Sequence, residues 1–421
     1  MRVYFIKLVA IAGLAALFVL SPFATSLSEQ IEGGGVSACN APPASANSFV
    51  SLPGHPFGVV PTHDGCSLFV SMVSDSGNGT ALLQRADGRL ILKHLFRVEG
   101  LPLGMVMTHD GKLLVVAAQK NVVFMDVDRM LAEPGGDPIL GSISDGASAG
   151  SVYVNVTADD EFLFVSDELA ATITVIDLKK ARSSGFAASA IVGKIPVGGA
   201  PIALTFSPDG RWLYTTSEVA PPNLEWPIEC KPEGAASATA AAKYPKGAII
   251  VVDVERAKTD PASSIVSYVP AGCSPVRLAI SPAGDRAFVT ARNSNALLAF
   301  DTAKLRGDAS KALIGTVPVG IAPVGIEVVD KQVFVTNSDR FGAKPNARQT
   351  LTVIDTARIA QGAGAIQGTI QAGGFPRGFG VSPDGRTLFV SNFNSNEIQI
   401  IDLKHLPIET SCGDHVKAGD R

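Results

Sequence analysis

From about residue 45 to residue 404 the chain repeats a single motif, and no other feature restricts its fold as strongly. The clearest copy is the last: Phe375-Pro376-Arg377-Gly378, then Val381-Ser382-Pro383-Asp384-Gly385-Arg386, then Leu388-Phe389-Val390-Ser391-Asn392, and finally Ile398-Gln399-Ile400-Ile401-Asp402. Two markers recur in step with it. A turn position reads Asp64, Asp110, Asp159, Asp209, Ala283, Asp330 and Asp384, and an aspartate closes a later apolar run at Asp87, Asp126, Asp177, Asp253, Asp301, Asp355 and Asp402. Each marker appears once per copy and both give seven copies. The copies lie about 50 residues apart, a period typical of repeat arrays, and about 25 further residues enter between the fourth and fifth.

Within a copy the residues describe a short antiparallel meander. Pro-x-Gly opens a first strand, and Ser-Pro-Asp-Gly supplies the fixed φ of proline and the turn tolerance of Asp-Gly. The runs Phe162 to Val165, Thr172 to Ile176, Leu351 to Ile354 and Ile398 to Ile401 are β-branched or aliphatic and bounded by turn residues, as buried strands are. A fourth strand ends in Pro-Val-Gly near Ile195 to Gly198 and Thr316 to Gly320. Repeats of this length holding four strands predict an all-β, seven-bladed β-propeller of four-stranded antiparallel blades. The seventh copy stops at its third strand, whereas Ser48 to Leu52 stands where the fourth strand of a preceding blade belongs. The N-terminal strand is therefore expected to complete the last blade and close the ring, leaving no open sheet edge.

Composition agrees with many short strands: charged residues are 18%, aromatics 6%, and there are 42 Gly and 27 Pro in 421 residues. A formal charge of −4 offers no basic stripe, so nucleic acid is not an expected partner. Arg2 and Lys7 precede or open an apolar run from Leu8 to Leu20 with small residues at Ala24 and Ser26, the pattern of a signal peptide. That run is too short to span a bilayer, so no transmembrane anchor is expected after cleavage, and the protein is expected to be secreted or periplasmic. The expected organisation is a signal peptide over 1–26, a linker over 27–46, the propeller over 47–404 with an insertion at 218–246 in blade four, and a tail over 405–421.

The motifs Phe334-Val335-Thr336-Asn337, Phe389-Val390-Ser391-Asn392, Phe164-Val165-Ser166-Asp167 and Phe288-Val289-Thr290-Ala291, with the following Ile-x-Val-Ile-Asp, resemble the YVTN β-propeller family over about residues 48 to 404. The third copy departs most, with Ser151-Val152-Tyr153 in place of Pro-x-Gly. The resemblance implies the propeller fold. For function it implies surface-layer proteins, lactonase-like proteins and quinoprotein amine dehydrogenase-like subunits alike.

Strand directions give the cysteines positions. Cys230 in the insertion and Cys273 at the approach to blade five fall on one face, and a Cys230–Cys273 disulfide is expected in an exported protein. Cys39, Cys66 and Cys412 map to the opposite face near the closure. Cys39–Cys412 is the expected second pair, with Cys66 open as an alternative partner.

Chemistry motifs are sparse. There is no His-Glu-x-x-His pair, no phosphate loop and no Cys-x-x-Cys-His, so the sequence implies no cofactor on this chain. Asp75 and Asn78 fall short of the six to eight oxygens that calcium takes, and no metal is expected. His63 and His109 occupy turns, His94 lies in a strand run, and His405 and His415 lie in or beside the tail; His55 alone maps to the insertion face. The inner strand carries the telling departures. At the Gly of Pro-x-Gly the fifth copy has Arg277; two residues further along, the sixth has Glu327; and the seventh puts Arg377 at x. Charges near a propeller axis are costly unless paired or used. Arg277 and Glu327 therefore either form a structural ion pair or line a polar funnel. Arg277, Glu327, Arg377, His55 and Trp226 form the expected ligand-facing set, in a non-enzymatic propeller that presents one loop face to a protein, glycan or small molecule. The alternatives are a hydrolase of sugar lactones and a subunit of a periplasmic dehydrogenase.

Overall fold

A computed structural model describes residues 39, 41–132, 136–146, 148–221, 224, 230, 246–339 and 347–409. The expected signal peptide, Trp226 and Cys412 lie outside the described residues.

Seven four-stranded antiparallel sheets are arranged in sequence order. Blade six is representative: Pro323–Val329 is innermost, followed by Gln332–Asn337, Thr350–Asp355 and the outer Ile366–Gln371. Its second and third strands are buried almost throughout, because each sheet is covered on both faces by neighbouring blades. The turn aspartate also has a visible task. Thr62, Thr108, Ser207 and Ser382 donate their hydroxyls to Asp64, Asp110, Asp209 and Asp384, at 2.5 Å in each case, and each aspartate then accepts a backbone N–H across the turn. Blade five, with Ala283 at the turn position, uses Ser281 with Asp285 instead, at 2.6 Å.

Asn47–Ser51 pairs antiparallel with Glu397–Asp402, Phe49 facing Gln399, so blade seven combines three C-terminal strands and one from the N-terminus. Gln399, fully buried, donates to Asn47 Oδ1 at 2.9 Å and to the Gln371 carbonyl at 2.8 Å, tying the closure to blade six.

Adjacent inner strands are joined by a hydroxyl relay that explains the Thr or Ser of the repeat. In most blades the inner strand carries a bulge, for example between Pro323 and Ile326, that leaves one N–H without a ladder partner. The motif hydroxyl accepts that N–H and donates to a carbonyl of the next blade. Thr290 accepts from Arg277 N at 3.1 Å and donates to the Val324 carbonyl at 2.9 Å, and Ser391 accepts from Gly378 N at 2.9 Å and donates to Phe57 at 2.8 Å, the latter crossing the closure. Blade two has no such hydroxyl, and Gly104 N bonds the Val152 carbonyl of blade three directly at 2.9 Å.

One-turn helices, unexpected from the sequence, follow the third strands of several blades, as at Val127–Leu131 and Thr302–Arg306. The aspartate that closes the third strand is their N-cap: Asp126, Asp177, Asp253 and Asp301 each accept an N–H from the first turn. Cys230 is bonded to Cys273, as expected. Cys39 is bonded to Cys66 and not to Cys412. The reason is proximity: Arg85 donates both to the carbonyl of Gly65, next to Cys66 in the first turn of blade one, at 3.4 Å and to that of Ala41 at 3.2 Å, while Ala44 N bonds the Gly88 carbonyl in the adjacent turn at 3.1 Å. Among the described residues no helix is long and apolar enough to cross a membrane.

Candidate functional site

The innermost strands converge on the axis, where Phe57, Val152, Ile202, Val276, Val324 and Phe375 form a buried apolar collar, with Leu103 of blade two packed against it. Every blade thus contributes one side chain from near the start of its inner strand. Within and above the collar lies a cavity of about 220 Å³, lined also by Tyr153, Glu168, Glu218, Arg277, Arg292 and Arg377. It opens on the face that carries the insertion, since Glu168, Glu218 and Arg292 stand just after the second strand or at its end.

Three departures from the repeat meet here. Glycine or alanine occupies the small position of the inner strand at Gly58, Gly104, Ala203, Gly325 and Gly378, but blade three has Tyr153 and blade five Arg277. The Arg277 guanidinium lies over the Tyr153 ring at 4.7 Å and reaches Phe57 at 6.0 Å, so a side chain from blade five spans the axis to blades three and one. The smallness of Gly378 matters to this: a Cβ there would stand 3.6 Å from Arg277 Nη1 and 2.6 Å from the Phe57 carbonyl. Arg377 lies over Phe57 at 4.2 Å, Phe375 at 4.8 Å and Phe393 at 5.4 Å, an aromatic seat that fixes its planar fork.

Electrostatics follow from this enclosure. Burial lowers Arg277 to about 9, the like charge of Arg377 adds to the lowering, and Glu327 opposes it. Arg277 remains a cation at neutral pH. Its Nε is buried without a hydrogen-bond partner, and its contacts among the described residues are to ring faces. Burial raises Glu327 to about 7 against the pull of its hydrogen bond from Val328 N and of Arg277. Arg292 and Glu218 at the mouth make a two-pronged ion pair, at 3.0 and 2.7 Å.

The expected set is therefore only partly assembled. Arg277 and Arg377 line the cavity. Glu327 does not, and it makes no direct ion pair with Arg277 among the described residues; its carboxylate turns back to accept its own neighbour's N–H at 3.2 Å. Of the two alternatives, an Arg277–Glu327 ion pair or a polar funnel lined by both, neither is formed as such: Arg277 lies on aromatic rings, because its side chain extends across the axis, away from the neighbouring blade. His55 does not line the cavity either. It stacks on Phe393 at 4.8 Å and bonds the Phe393 carbonyl through Nδ1 at 2.8 Å, holding the ring that seats Arg377. Tyr153, Phe57, Phe375 and the Arg292–Glu218 pair escaped the sequence reading. Tyr153 had a signal, as the bulky residue in a glycine position; the phenylalanines had none, because an apolar residue is ordinary there. Among the described residues there is no cluster of three or more His, Cys, Asp or Glu placed to hold a metal ion.

Comparisons with known proteins bear mainly on the fold. No curated protein sequence matches the chain. Hydrazine synthase of Kuenenia stuttgartiensis has a similar structure, with a TM-score of 0.58 and 16% identity, covering 84% of this chain and 96% of that one. As many as 1429 solved chains match, so structural likeness alone selects no activity. The family described as Lactonase, 7-bladed beta-propeller matches residues 248–405, which span blades five to seven and the end of blade four. The chain is a seven-bladed β-propeller, and its C-terminal part is similar to that lactonase family.

Proposed function

We propose that this is an exported, non-enzymatic binding propeller that takes a small organic anion into the axial cavity. The observation that carries this reading is Arg277, a cation on aromatic rings in an enclosed cavity, its Nε buried without a hydrogen-bond partner. An anion entering there gains charge-assisted bonds to donors already held in place, and loses little to reorganisation. Two disulfides in the described chain suit an oxidising compartment, which supports export. Titration calorimetry with gluconate, succinate and glucose tests the assignment. The acids are expected to bind and glucose is not, and the double variant R277Q/R377Q is expected to lose at least about tenfold, or about 1.4 kcal/mol, with its Tm within a few degrees of wild type. Equal binding by wild type and variant would place the site elsewhere.

The family match over residues 248–405 favours one second reading, hydrolysis of a lactone in the same cavity. Acid release from glucono-δ-lactone, followed in a pH-stat, decides between them: turnover that R277Q abolishes establishes a hydrolase, and its absence alongside anion binding establishes a binding protein.

A further inference from the structure

The last residue of the second strand is asparagine in the family motif, and blade six shows its work. Asn337 Oδ1 accepts the N–H of Gly320, in the loop arriving from blade five, at 2.9 Å, while Nδ2 donates to the hydroxyls of Thr350 and Thr352 at 2.8 and 2.9 Å. Blade three has Asp167 in this place, fully buried. A carboxylate cannot donate, so the polarity inverts: Thr172 and Thr174 donate to Asp167 Oδ2 at 2.9 and 2.6 Å, and Lys194 Nζ joins at 3.1 Å. In place of a backbone N–H, the arriving loop presents a second carboxyl, Asp145, 4% exposed and within hydrogen-bonding reach of Asp167. Asp145 Oδ2 accepts from Ser151 Oγ at 2.6 Å, and the remaining oxygens of the two acids, Asp145 Oδ1 and Asp167 Oδ1, are both buried without another donor.

Two carboxyls and one ammonium do not balance, and one further proton both balances the charge and supplies the missing donor. We propose that Asp145 and Asp167 share a proton and form a pH-operated latch, closed when the proton is present, that fastens one wall of the axial cavity. The loop bearing Asp145 is strapped to the turn beyond Asp167: Lys194 Nζ donates to the Asp145 carbonyl at 2.7 Å, Glu168 N to Gly150 at 3.0 Å, and Leu169 N to Ala149 at 3.1 Å. Glu168 lines the cavity, so loss of the latch is felt at its wall. The ionisable groups around the pair are Lys194 from the outer strand, Glu168 from the turn and the exposed Lys120 from the turn of blade two that pairs with Ser151. Burial, then the charge of Asp167, raises Asp145 from its ordinary 3.8 to about 7. A group raised on folding contributes stability that is complete below its unfolded value and is lost as pH rises through the folded one. The latch is therefore closed at pH 6 and open at pH 8.5, its proton passing to solvent.

The test needs no ligand. Amide hydrogen exchange over residues 144–146, 148–151 and 168–171, corrected for intrinsic pH dependence, is expected to lose about tenfold in protection between pH 6 and pH 8.5 in wild type. In D145N, whose amide donates as the protonated acid does, protection is expected to stay at its low-pH level at both values. Constant protection in wild type, or an equal loss in D145N, overturns the proposal. Recovery at pH 8.5 on adding calcium, reversed by chelation, also overturns it by showing a cation site. Should D145N fail to fold, carbon-13 NMR of the aspartate carboxyls of wild type keeps the question open to measurement: a buried carboxyl titrating near 7 is expected, and its absence overturns the latch.

Discussion

Arg277 and Glu327 show how little of a charged side chain's role follows from its place on a strand. Both occupy inner-strand positions that are small or neutral in other blades, yet one reaches across the axis to Tyr153 while the other folds back on its own backbone. Glu327 is consequently a buried acid without a strong partner, raised to about 7. With the folded value above the unfolded 4.5, its contribution to stability is complete below pH 4.5 and is lost as pH rises through about 7. E327Q is expected to match wild type in chemical denaturation at pH 4 and to exceed it by about 1–3 kcal/mol at pH 8. A variant less stable than wild type at pH 8 would show that Glu327 has a partner whose attraction outweighs its burial. Part of this residue-level picture was legible beforehand: a charge where the repeat keeps glycine or alanine singled out Arg277, which lines the axial cavity, whereas Glu327, singled out in the same way, does not. What each charge touches was not legible, since arginine has the length to leave its own blade.

At the scale of the element, the motif hydroxyl matters more than strand propensity. Thr290 and Ser391 each satisfy a bulged N–H of their own blade and a carbonyl of the next, so the bulge that bends the inner strand is tolerated only because a side chain replaces the ladder. S391A removes both bonds at a buried position and leaves an N–H and a carbonyl unpaired. A loss of about 1–3 kcal/mol is expected from denaturant midpoints at unchanged slope, while S391T keeps the hydroxyl and recovers part of it. Indifference to S391A would mean that water takes over the relay. The helices after the third strand were missed for a related reason. Their aspartate was visible seven times, but an aspartate after a strand serves equally as a turn former, which is its use at Asp87 with φ 50° ahead of Gly88, or as the cap of a helix, as at Asp301. Four to six residues of helix are too few to show a period.

The whole ring depends on a strand 350 residues distant from its partner. The register Asn47↔Ile401 to Ser51↔Glu397 leaves blade seven with an unpaired edge if the N-terminal strand is removed. Deleting residues 46–52 is expected to lower Tm by more than about 10 °C in a single cooperative transition, followed by circular dichroism, because that edge also supports Gln399 and its bonds to blade six. An unchanged Tm would show that six blades and a fragment are self-sufficient. The number of blades, their strand order and this closure were all determined by the sequence, because short apolar runs and a repeated turn are local patterns that the chain carries whatever its neighbours do. The Cys230–Cys273 pair followed from the same strand directions, whereas the partner of Cys39 did not, since it depends on where a segment lacking any repeat happens to lie. The cavity belongs to the tertiary structure alone: Phe57, Tyr153, Arg277 and Arg377 come from blades one, three, five and seven, and only closure of the ring around one axis makes neighbours of residues up to 320 positions apart.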